Sequence, residues 1–282
     1  MLSVYQNETK IRIPNLVKWA GGKGNAIDNL MNNVPPMINT YYEPFFGGGS
    51  LFWNLRLRGA IEEAVISDIN PDLINLITVV KNQPGELSDE LQNYAMINGE
   101  KQYYMIRNRF NSIPNTKKLS VEKAALFLYL NRNCYNGLWR VNRKGEFNVP
   151  FGFYKKYYLP SSKDIETYSE LLRNTRILLG DFSVSLKLCK EGDFVYLDPP
   201  YHSLSGFTEY AGSKFTLREQ SKLATLFRVL SDTGVRLAES NSNHPDILEL
   251  YHGFKIIQAK GYSLISSKKN GRGITDELII IN

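Results

Sequence analysis

An acid, two prolines and a tyrosine follow the end of one apolar run in this sequence, and their chemistry suits a site for a flat polar group. Residues 195–197 have the apolar character of a buried strand, and Asp198 comes where that strand would leave the sheet. Pro199 and Pro200 cannot continue a ladder or a helix, because proline has no N–H donor and a fixed φ. We therefore expect a carboxylate, the prolyl carbonyls and the aromatic face of Tyr201 to meet in one small space.

A second candidate site follows the first predicted strand. Gly47, Gly48 and Gly49 lie between a strand and a helix, where missing side chains let a ligand approach the backbone and the helix N-terminus. The next strand ends at Asp68, about twenty residues on, where a carboxylate can bind the two hydroxyls of a ribose. The combination implies a nucleoside cofactor, although three glycines in a turn could serve the backbone alone. The glycine patterns typical of NAD and ATP sites do not occur in the sequence.

Basic and aromatic residues are concentrated in the middle of the chain. The net charge is +6 over 282 residues, but residues 101–163 hold 13 Lys and Arg against two Glu. The same block holds 13 aromatic side chains, and such interleaving suits phosphate contact and base stacking. A solvated basic face over an ordinary aromatic core explains the composition equally well. The block therefore favours a nucleic-acid partner without requiring one.

The composition gives little support to other classes of function. Cys134 and Cys189 are far apart in sequence, and His202, His244 and His252 are scattered, so we expect neither a disulfide framework nor a metal site. No run approaches the roughly 18 apolar residues of a membrane span, and the N-terminus lacks the apolar run of a signal peptide. We expect a cytoplasmic protein without metal chemistry.

Strand and helix patterns alternate at both ends of the chain and give way to helices in between. Residues 1–75 and 171–282 show short apolar strands, glycine turns and amphipathic helices, which predict a doubly wound α/β sheet. Residues 76–170 predict mainly helices, one of them with Ser120 as its N-cap. Alternating side chains around the turn residues 143–145 then predict a β-hairpin. The expected organisation is an α/β domain interrupted by the basic, aromatic block.

Several motifs occur together in an order that is specific to one family. They are KWAGGK at residues 18–23, EPFFGGGS at 43–50, Asp68, NGLWRVNRKGEFNVPFG at 136–152, GDF at 180–182, DPPY at 198–201 and TDELIIIN at 275–282. With these motifs the chain resembles the Dam-type (D12 class) DNA adenine-N6 methyltransferases along nearly its whole length. The resemblance implies a Rossmann-like S-adenosylmethionine-dependent methyltransferase sheet, residues 1–75 and 171–282. It also implies an inserted, mainly helical target-recognition domain carrying the β-hairpin, residues 76–170.

The implied reaction is transfer of the methyl group of S-adenosylmethionine to N6 of adenine. The N6 lone pair is conjugated into the ring, so the enzyme must favour its out-of-plane form. Asp198 can accept one hydrogen bond from the amino group, and the Pro199 carbonyl can accept the other. Tyr201 would stack on the base, which must first leave the duplex. Together with Pro200, these residues form the expected catalytic set.

The resemblance also assigns residues to the cofactor. They are Trp19, Lys23, Phe46, Gly47, Gly48, Gly49, Asp68, Asp181, Phe182 and Asp198. By this assignment Asp68 binds the ribose, while Asp181 and Phe182 offer the adenine an acceptor and a ring face. Without the other motifs, Asp181 and Phe182 would be interpreted as a loop aspartate and a core phenylalanine.

The hairpin and its neighbours are the expected DNA-reading elements. The residues assigned are Lys18, Tyr135, Asn136, Leu138, Arg140, Asn142, Pro150 and Tyr154. By the resemblance, Tyr135 wedges into the base stack, Asn136 attends the orphaned partner base, and Leu138, Arg140 and Pro150 face bases. The phosphate-contact candidates are Asn142, Lys144, Lys155, Lys156 and the basic loop 266–273. Arg140 can pair bidentately with guanine O6 and N7, and Lys18 is expected at another guanine. Alternatively, Tyr135 and Leu138 pack in the core of the insertion and Arg140 holds a phosphate.

One position departs from the family pattern. Members specific for GATC usually have an arginine and then a tyrosine after VPFG, whereas this chain has Phe153 and then Tyr154. A missing charge at this point relaxes or alters recognition of an outer base pair. GATC is the leading expectation for the target.

Two other functions stay open on the sequence alone. The acid, the prolines and the tyrosine could hold a planar NH₂ group of an RNA or of a protein glutamine, although the hairpin favours duplex DNA. The chain could also be a non-catalytic DNA-binding module. The presence of an intact set of site residues argues against this function: Lys23, Asp68, Asp198 and Tyr201. For the enzyme we expect double-stranded DNA as partner and a monomer in solution. It acts either alone or beside a cognate restriction endonuclease encoded separately.

Overall fold

The computed structural model describes residues 15–19, 27–97, 99–116, 118–155, 158–201, 209–210, 213–263 and 273–282. Lys23 and Lys156 therefore lie outside the described residues, and the same is true of the basic loop 266–272 near the C-terminus. Within the described ranges, none of the helices has the length and apolar content of a membrane span.

A mixed sheet forms the centre of the described part of the chain. The strands in chain order are β1 (Thr40–Glu43), β2 (Glu63–Asp68), β3 (Thr175–Leu179), β4 (Phe194–Leu197), β5 (Glu209–Tyr210), β6 (Ser213–Lys214), β7 (Arg236–Ser242), β8 (Lys255–Ser263) and β9 (Gly273–Ile281). β5 and β6 pair with each other, and the remaining strands form one sheet in the order β3-β2-β1-β4-β7-β9-β8. The strands from β3 to β7 in this order run parallel, and β9 is antiparallel to both of its neighbours. The doubly wound α/β prediction is confirmed.

Helices cover the sheet and fill the segment between β2 and β3. They are α1 (Ile27–Met31), α2 (Ser50–Leu57), α3 (Pro71–Asn82), α4 (Pro84–Gln92), α5 (Glu100–Ser112), α6 (Val121–Asn133), α7 (Ser162–Leu171), α8 (Ser183–Leu186), α9 (Leu217–Asp232) and α10 (Pro245–Leu250). The predicted N-cap of α6 is confirmed, because the Ser120 hydroxyl accepts the N–H of Lys123 at 3.1 Å. Helix α9 begins at a capping box that Thr216 forms with Glu219.

The inserted helices share a core with the sheet. α6 is almost wholly buried, and it packs against α3, α4 and α5. α3 in turn packs on β2 and β3, and α7 packs on α2. The predicted boundary between residues 75 and 76 falls inside α3, which contacts both the sheet and the inserted helices. The division into a catalytic and a target-recognition domain stays a prediction.

The predicted β-hairpin is present in a reduced form. Val141 and Phe147 form one antiparallel bridge, flanked by backbone hydrogen bonds from Asn142 to Glu146 and from Asn148 to Arg140. Cys134 and Phe151 form a second antiparallel bridge at the base of the arms. The Asn142 side-chain oxygen accepts the N–H groups of residues 144 and 146, at 2.9 and 3.0 Å. This side chain supplies the acceptor for the turn. The arms pair at two isolated bridges instead of along a continuous ladder.

Candidate functional site

The chemical motifs meet at one edge of the sheet. Four parallel strands, β1 to β4, are followed by the loops 44–49, 69–70, 180–182 and 198–201. Parallel strands place all of these carboxyl ends on the same side. β1 and β4 are neighbours where the strand order reverses, which is the position at which ligands bind in sheets of this kind.

The glycine turn is shaped by rings of the protein itself. Gly47 and Gly49 have φ values of 47° and 64°, in the left-handed region that favours glycine. A Cβ on Gly47 would lie 2.7 Å from the Trp19 ring, and one on Gly48 would lie 3.1 Å from the Trp19 Cβ. A Cβ on Gly49 would lie 2.5 Å from the ring of Phe46. The missing side chains therefore make room for these two rings, in addition to the predicted room for a ligand.

This packing predicts a difference between two left-handed glycines. Alanine at Gly49 or at Gly59 costs about 1–2 kcal/mol of backbone strain, because both residues have φ near 60°. Nothing lies within 4 Å of a Cβ on Gly59, whereas Phe46 and Trp53 crowd the same atom on Gly49. We expect Gly49→Ala to lower the free energy of unfolding by more than Gly59→Ala in urea titrations. Equal losses would show that the contact at Gly49 is not tight.

Asp68 links the end of β2 to the glycine turn. Its Oδ2 accepts the N–H of Gly47 at 2.9 Å, and its Oδ1 accepts the N–H of Asn70 at 2.8 Å. Burial raises the pKa of Asp68 to about 6, and the hydrogen bonds from the backbone oppose the rise. Each carboxylate oxygen can accept a second hydrogen bond. The side chain is thus placed by the turn and retains acceptor capacity for a hydroxyl group.

Residues 198–201 are held from the neighbouring elements. Gln220 on α9 donates its Nε2 to the carbonyl oxygen of Pro200 at 3.0 Å. The hydroxyl of Tyr201 donates to the carboxylate of Glu277 on β9. The predicted catalytic residues therefore lie together between β4, α9 and β9.

Two buried carboxyl groups lie close enough to Asp198 to interact electrostatically with it. Glu43 at the end of β1 accepts the hydroxyl of Tyr41 at 2.7 Å, and Glu239 on β7 accepts that of Tyr251 at 2.5 Å. Burial raises the pKa of Glu43 and of Glu239 to about 8, and the charge of Asp198 adds to both rises. At neutral pH these two groups are therefore largely protonated, which keeps negative charge low around Asp198.

The raised pKa of Glu239 predicts a pH-dependent stability. Its ordinary pKa is 4.5, so between about pH 4.5 and 8 the folded protein keeps a proton that the unfolded chain releases. Stability then falls as the pH rises through this window, with a slope of up to about 1.4 kcal/mol per pH unit for one group. We expect Glu239→Gln to flatten the decline in urea unfolding free energy between pH 5 and 8. A variant with the wild-type slope would show that this carboxyl group does not keep its proton.

Several of these residues were not among the sequence predictions. They are Glu43, Gln220, Glu239, Glu277 and Asn241, whose Nδ2 donates to the carboxyl group of Glu239 at 2.8 Å. An acid within an apolar strand pattern, as in TYYEPF and RLAESNS, was the available signal, because an acid inside a buried strand needs a partner. No comparable signal marks Gln220, which lies on an ordinary amphipathic helix.

Asp181 and Phe182 follow β3 at the same edge. Asp181 is exposed, and its Oδ1 accepts the N–H and the hydroxyl of Ser183, at 2.8 and 2.6 Å. The ring of Phe182 is buried beside Phe45 and Phe215, with centroids 5.6 and 6.0 Å away. Both residues thus have structural roles of the kind that the motif alone suggested, and their contact with a cofactor stays a prediction.

Lys18 and Tyr154, both predicted to contact DNA, contact each other. Lys18 Nζ lies 4.3 Å from the centroid of the Tyr154 ring and donates to the carbonyl of Arg132 at 3.2 Å. Burial and the charge of Arg132 lower the pKa of Lys18. The side chain also runs along Gly137, where a Cβ would lie 2.6 Å from the Lys18 Cβ. The two residues belong to one cluster beside the start of the hairpin.

The turn before the hairpin presents Tyr135 at the surface. This side chain is 40% exposed, and its N–H donates to the carbonyl of Pro150 at 2.8 Å. Asn136 has a φ of 54°, which turns the chain sharply after α6. Leu138 is partly buried against the core, as in the alternative considered for it. Tyr135 remains the better placed of these side chains for contact with a partner.

Arg140 is exposed on the first arm of the hairpin and is oriented by the second. Its Nε donates to Asn148 Oδ1 at 2.8 Å. Asn142 closes the turn through its own side chain, whose Nδ2 donates to Glu146 at 2.8 Å. The guanidinium of Arg140 is therefore supported from one side, whereas Asn142 already has a structural role.

Phe153 lies where the family pattern departs. Its side chain is 69% exposed, and its φ of 53° is unusual for a bulky residue. The ring touches Phe151 edge to face, with centroids 4.9 Å apart. An exposed ring thus stands beside Tyr154 in place of the expected charge.

Known proteins that are similar to this chain in sequence are methyltransferases. A family model described as D12 class N6 adenine-specific DNA methyltransferase matches residues 19–263. The Type II methyltransferase M1.LlaDCHI of Lactococcus lactis subsp. cremoris is 37% identical over 280 residues, covering 98% of this chain and 97% of that protein. The Type II methyltransferase M.MjaIII of Methanocaldococcus jannaschii is 38% identical over 284 residues, covering 94% and 98%. The DNA adenine methylase of Escherichia coli K12 is 34% identical over 270 residues, covering 94% of each chain.

Proposed function

Because the chain belongs to the D12 class of N6 adenine-specific DNA methyltransferases, we propose that it methylates an adenine swung out of duplex DNA, within GATC. The observation that carries the proposal is the position of residues 198–201. They leave β4 beside the glycine turn of β1, where the strand order reverses. The methyl acceptor and the methyl donor can therefore lie next to each other.

The residues at this edge fit S-adenosylmethionine as the methyl donor. Asp68 offers a buried carboxylate at the end of the second parallel strand, and the turn 47–49 brings backbone close to it. Asp181 and Phe182 would hold the adenine part, and Trp19 covers the glycine turn. When bound, S-adenosylmethionine supplies a methyl group on a positively charged sulfur.

The residues after β4 act on the adenine amino group. Asp198 accepts a hydrogen bond from N6, and the carbonyl of Pro199 accepts the second, which draws the nitrogen out of conjugation with the ring. Tyr201 stacks on the base, with its hydroxyl held by Glu277. Protonated Glu43 and Glu239 limit the negative charge nearby. Asp198 is an orienting acceptor in this scheme, and no covalent enzyme intermediate is required.

The hairpin and the turn before it read the duplex. Arg140 is supported by Asn148 and binds guanine, while exposed Tyr135 enters the stack as the adenine leaves it. Phe153 replaces a charge at the outer base pair with an apolar ring. We infer that the enzyme tolerates this change and still methylates GATC.

Double-stranded DNA inside the cell is the proposed partner, and the enzyme is proposed to act as a monomer. Relatives named Type II methyltransferases and relatives named DNA adenine methylases match this chain at similar identity. Their names support two settings, with a separately encoded restriction endonuclease or without one.

Mapping of N6-methyladenine tests the proposal. Purified protein is incubated with S-adenosylmethionine and unmethylated genomic DNA, and the modified bases are located at single-base resolution. We expect methylation confined to GATC. Methylation of another short motif would refute the assigned site and keep the reaction. No mark on DNA, with S-adenosylmethionine still bound, would refute the DNA reaction, and RNA and protein substrates would then be tested.

A further inference from the structure

Gln220 is a fully buried amide that contacts the catalytic loop from outside the family motifs. It lies in the first turn of α9, with 0% of its surface exposed. Glutamine is usually exposed, and a buried amide must satisfy its polar atoms within the protein. The Nε2 of Gln220 does so by donating to the carbonyl of Pro200 at 3.0 Å.

The other end of the same amide is fixed by a buried chain of polar side chains. Gln220 Oε1 accepts Asn241 Nδ2 at 3.1 Å, and the same nitrogen donates to Glu239 Oε1 at 2.8 Å. Glu239 Oε2 in turn accepts the hydroxyl of Tyr251 at 2.5 Å. Because Asn241 is the donor to Oε1, the nitrogen of Gln220 must face Pro200. The orientation of the amide is therefore set from the core.

We propose that Gln220 is a positioning residue for methyl transfer. By holding the Pro200 carbonyl, it fixes the peptide plane between Pro200 and Tyr201. Because the φ of each proline is fixed, fewer backbone rotations separate this peptide plane from the Pro199 carbonyl and from Asp198. Holding the Pro200 carbonyl therefore also restricts the positions of these two groups. The proposal rests on the proposed function, because it assigns to these groups the adenine amino group as their target.

Two substitutions at Gln220 separate positioning from folding. Gln220→Leu removes the donor, and we expect kcat to fall about tenfold, as for one lost hydrogen bond, with KM for DNA and the affinity for S-adenosylmethionine unchanged. Gln220→Glu keeps the shape. Burial beside Glu239 raises the pKa of the new carboxyl group. When protonated it donates to Pro200, and when ionised it cannot.

The test is therefore a pH profile of the ratio between variant and wild-type kcat. We expect Gln220→Glu to approach wild-type kcat near pH 6 and to fall about tenfold below it by pH 9, the size of one lost hydrogen bond. Glu43 titrates in both proteins, and Tyr251 titrates in neither, because burial raises its pKa far above this range. Glu239 would couple to a carboxyl group at position 220, so both proteins also carry Glu239→Gln. Because the ratio compares the two proteins at each pH, a ratio that falls with pH reports the donor at position 220. A merely structural role gives a flat ratio and overturns the proposal.

Asn282 provides the matched control. Its amide donates to the carbonyl of Val235 at 2.8 Å and accepts the N–H of Leu237 at 2.9 Å, at the opposite end of β7. Asn282→Leu removes a comparable amide far from the loop, and we expect an unchanged kcat. Equal kcat losses at Asn282 and Gln220 overturn the proposal. A wild type that methylates no adenine overturns the proposed function as well, whereas an active wild type beside an equally active Gln220→Leu overturns this inference alone.

Discussion

Replacement of Asp198 by alanine is expected to lower kcat for adenine methylation by about 10²–10³-fold, the size seen when one oriented polar group is removed from a transition state. The side chain follows β4 at the point where the strand order reverses, and the next residues are held by α9 and β9. Removing the carboxylate leaves that scaffold in place. The loss should therefore fall on the chemical step, with binding of duplex DNA unchanged.

The Asp198 prediction is checked by single-turnover methylation together with a DNA-binding titration. Asp198→Asn retains one acceptor oxygen, so its kcat should lie between those of the wild type and the alanine variant. Asp181→Ala removes an acid at the same edge of the sheet. It should reduce the affinity for S-adenosylmethionine by a larger factor than it reduces kcat. An alanine variant at Asp198 with wild-type turnover would eliminate the proposed role of this residue.

Arg140→Ala is expected to reduce discrimination at one base pair by about 1–3 kcal/mol, the contribution of a bidentate contact to guanine. Arg140 is exposed, and Asn148 holds its Nε at 2.8 Å, so the guanidinium is presented in a defined orientation. The loss should appear as a smaller ratio between kcat/KM for the target and for a duplex with that pair replaced. Pairs elsewhere in the target should be discriminated as before.

Arg143→Ala is the control for charge, because this arginine is exposed in the turn of the same hairpin. We expect it to weaken binding of all duplexes alike, as loss of a phosphate contact does. If Arg140→Ala behaved in the same way, with all duplexes weakened equally, Arg140 would be a phosphate contact and direct reading of guanine would be refuted.

The elements of this fold were readable from local patterns. The apolar runs that become β2 and β4 are short and end at acids, and helix α9 begins at a capping box and ends before Gly234. Such signals involve residues within a few positions of each other, so a single sequence carries them. Local alternation also predicted the hairpin, but not that the Asn142 side chain would occupy two N–H groups of its turn. It likewise did not show that the arms would pair at isolated bridges.

The sequence by itself determined the order of strands and helices, the motifs at the strand ends and the family resemblance, since each depends on residue type and spacing. Only the tertiary structure decided that Trp19 closes over the glycine turn, that Lys18 lies on Tyr154, and that Gln220 holds the loop after β4. The physical reason is that a parallel sheet brings together chain segments that are far apart in sequence. Each buried polar group then takes whichever partner the packing places beside it.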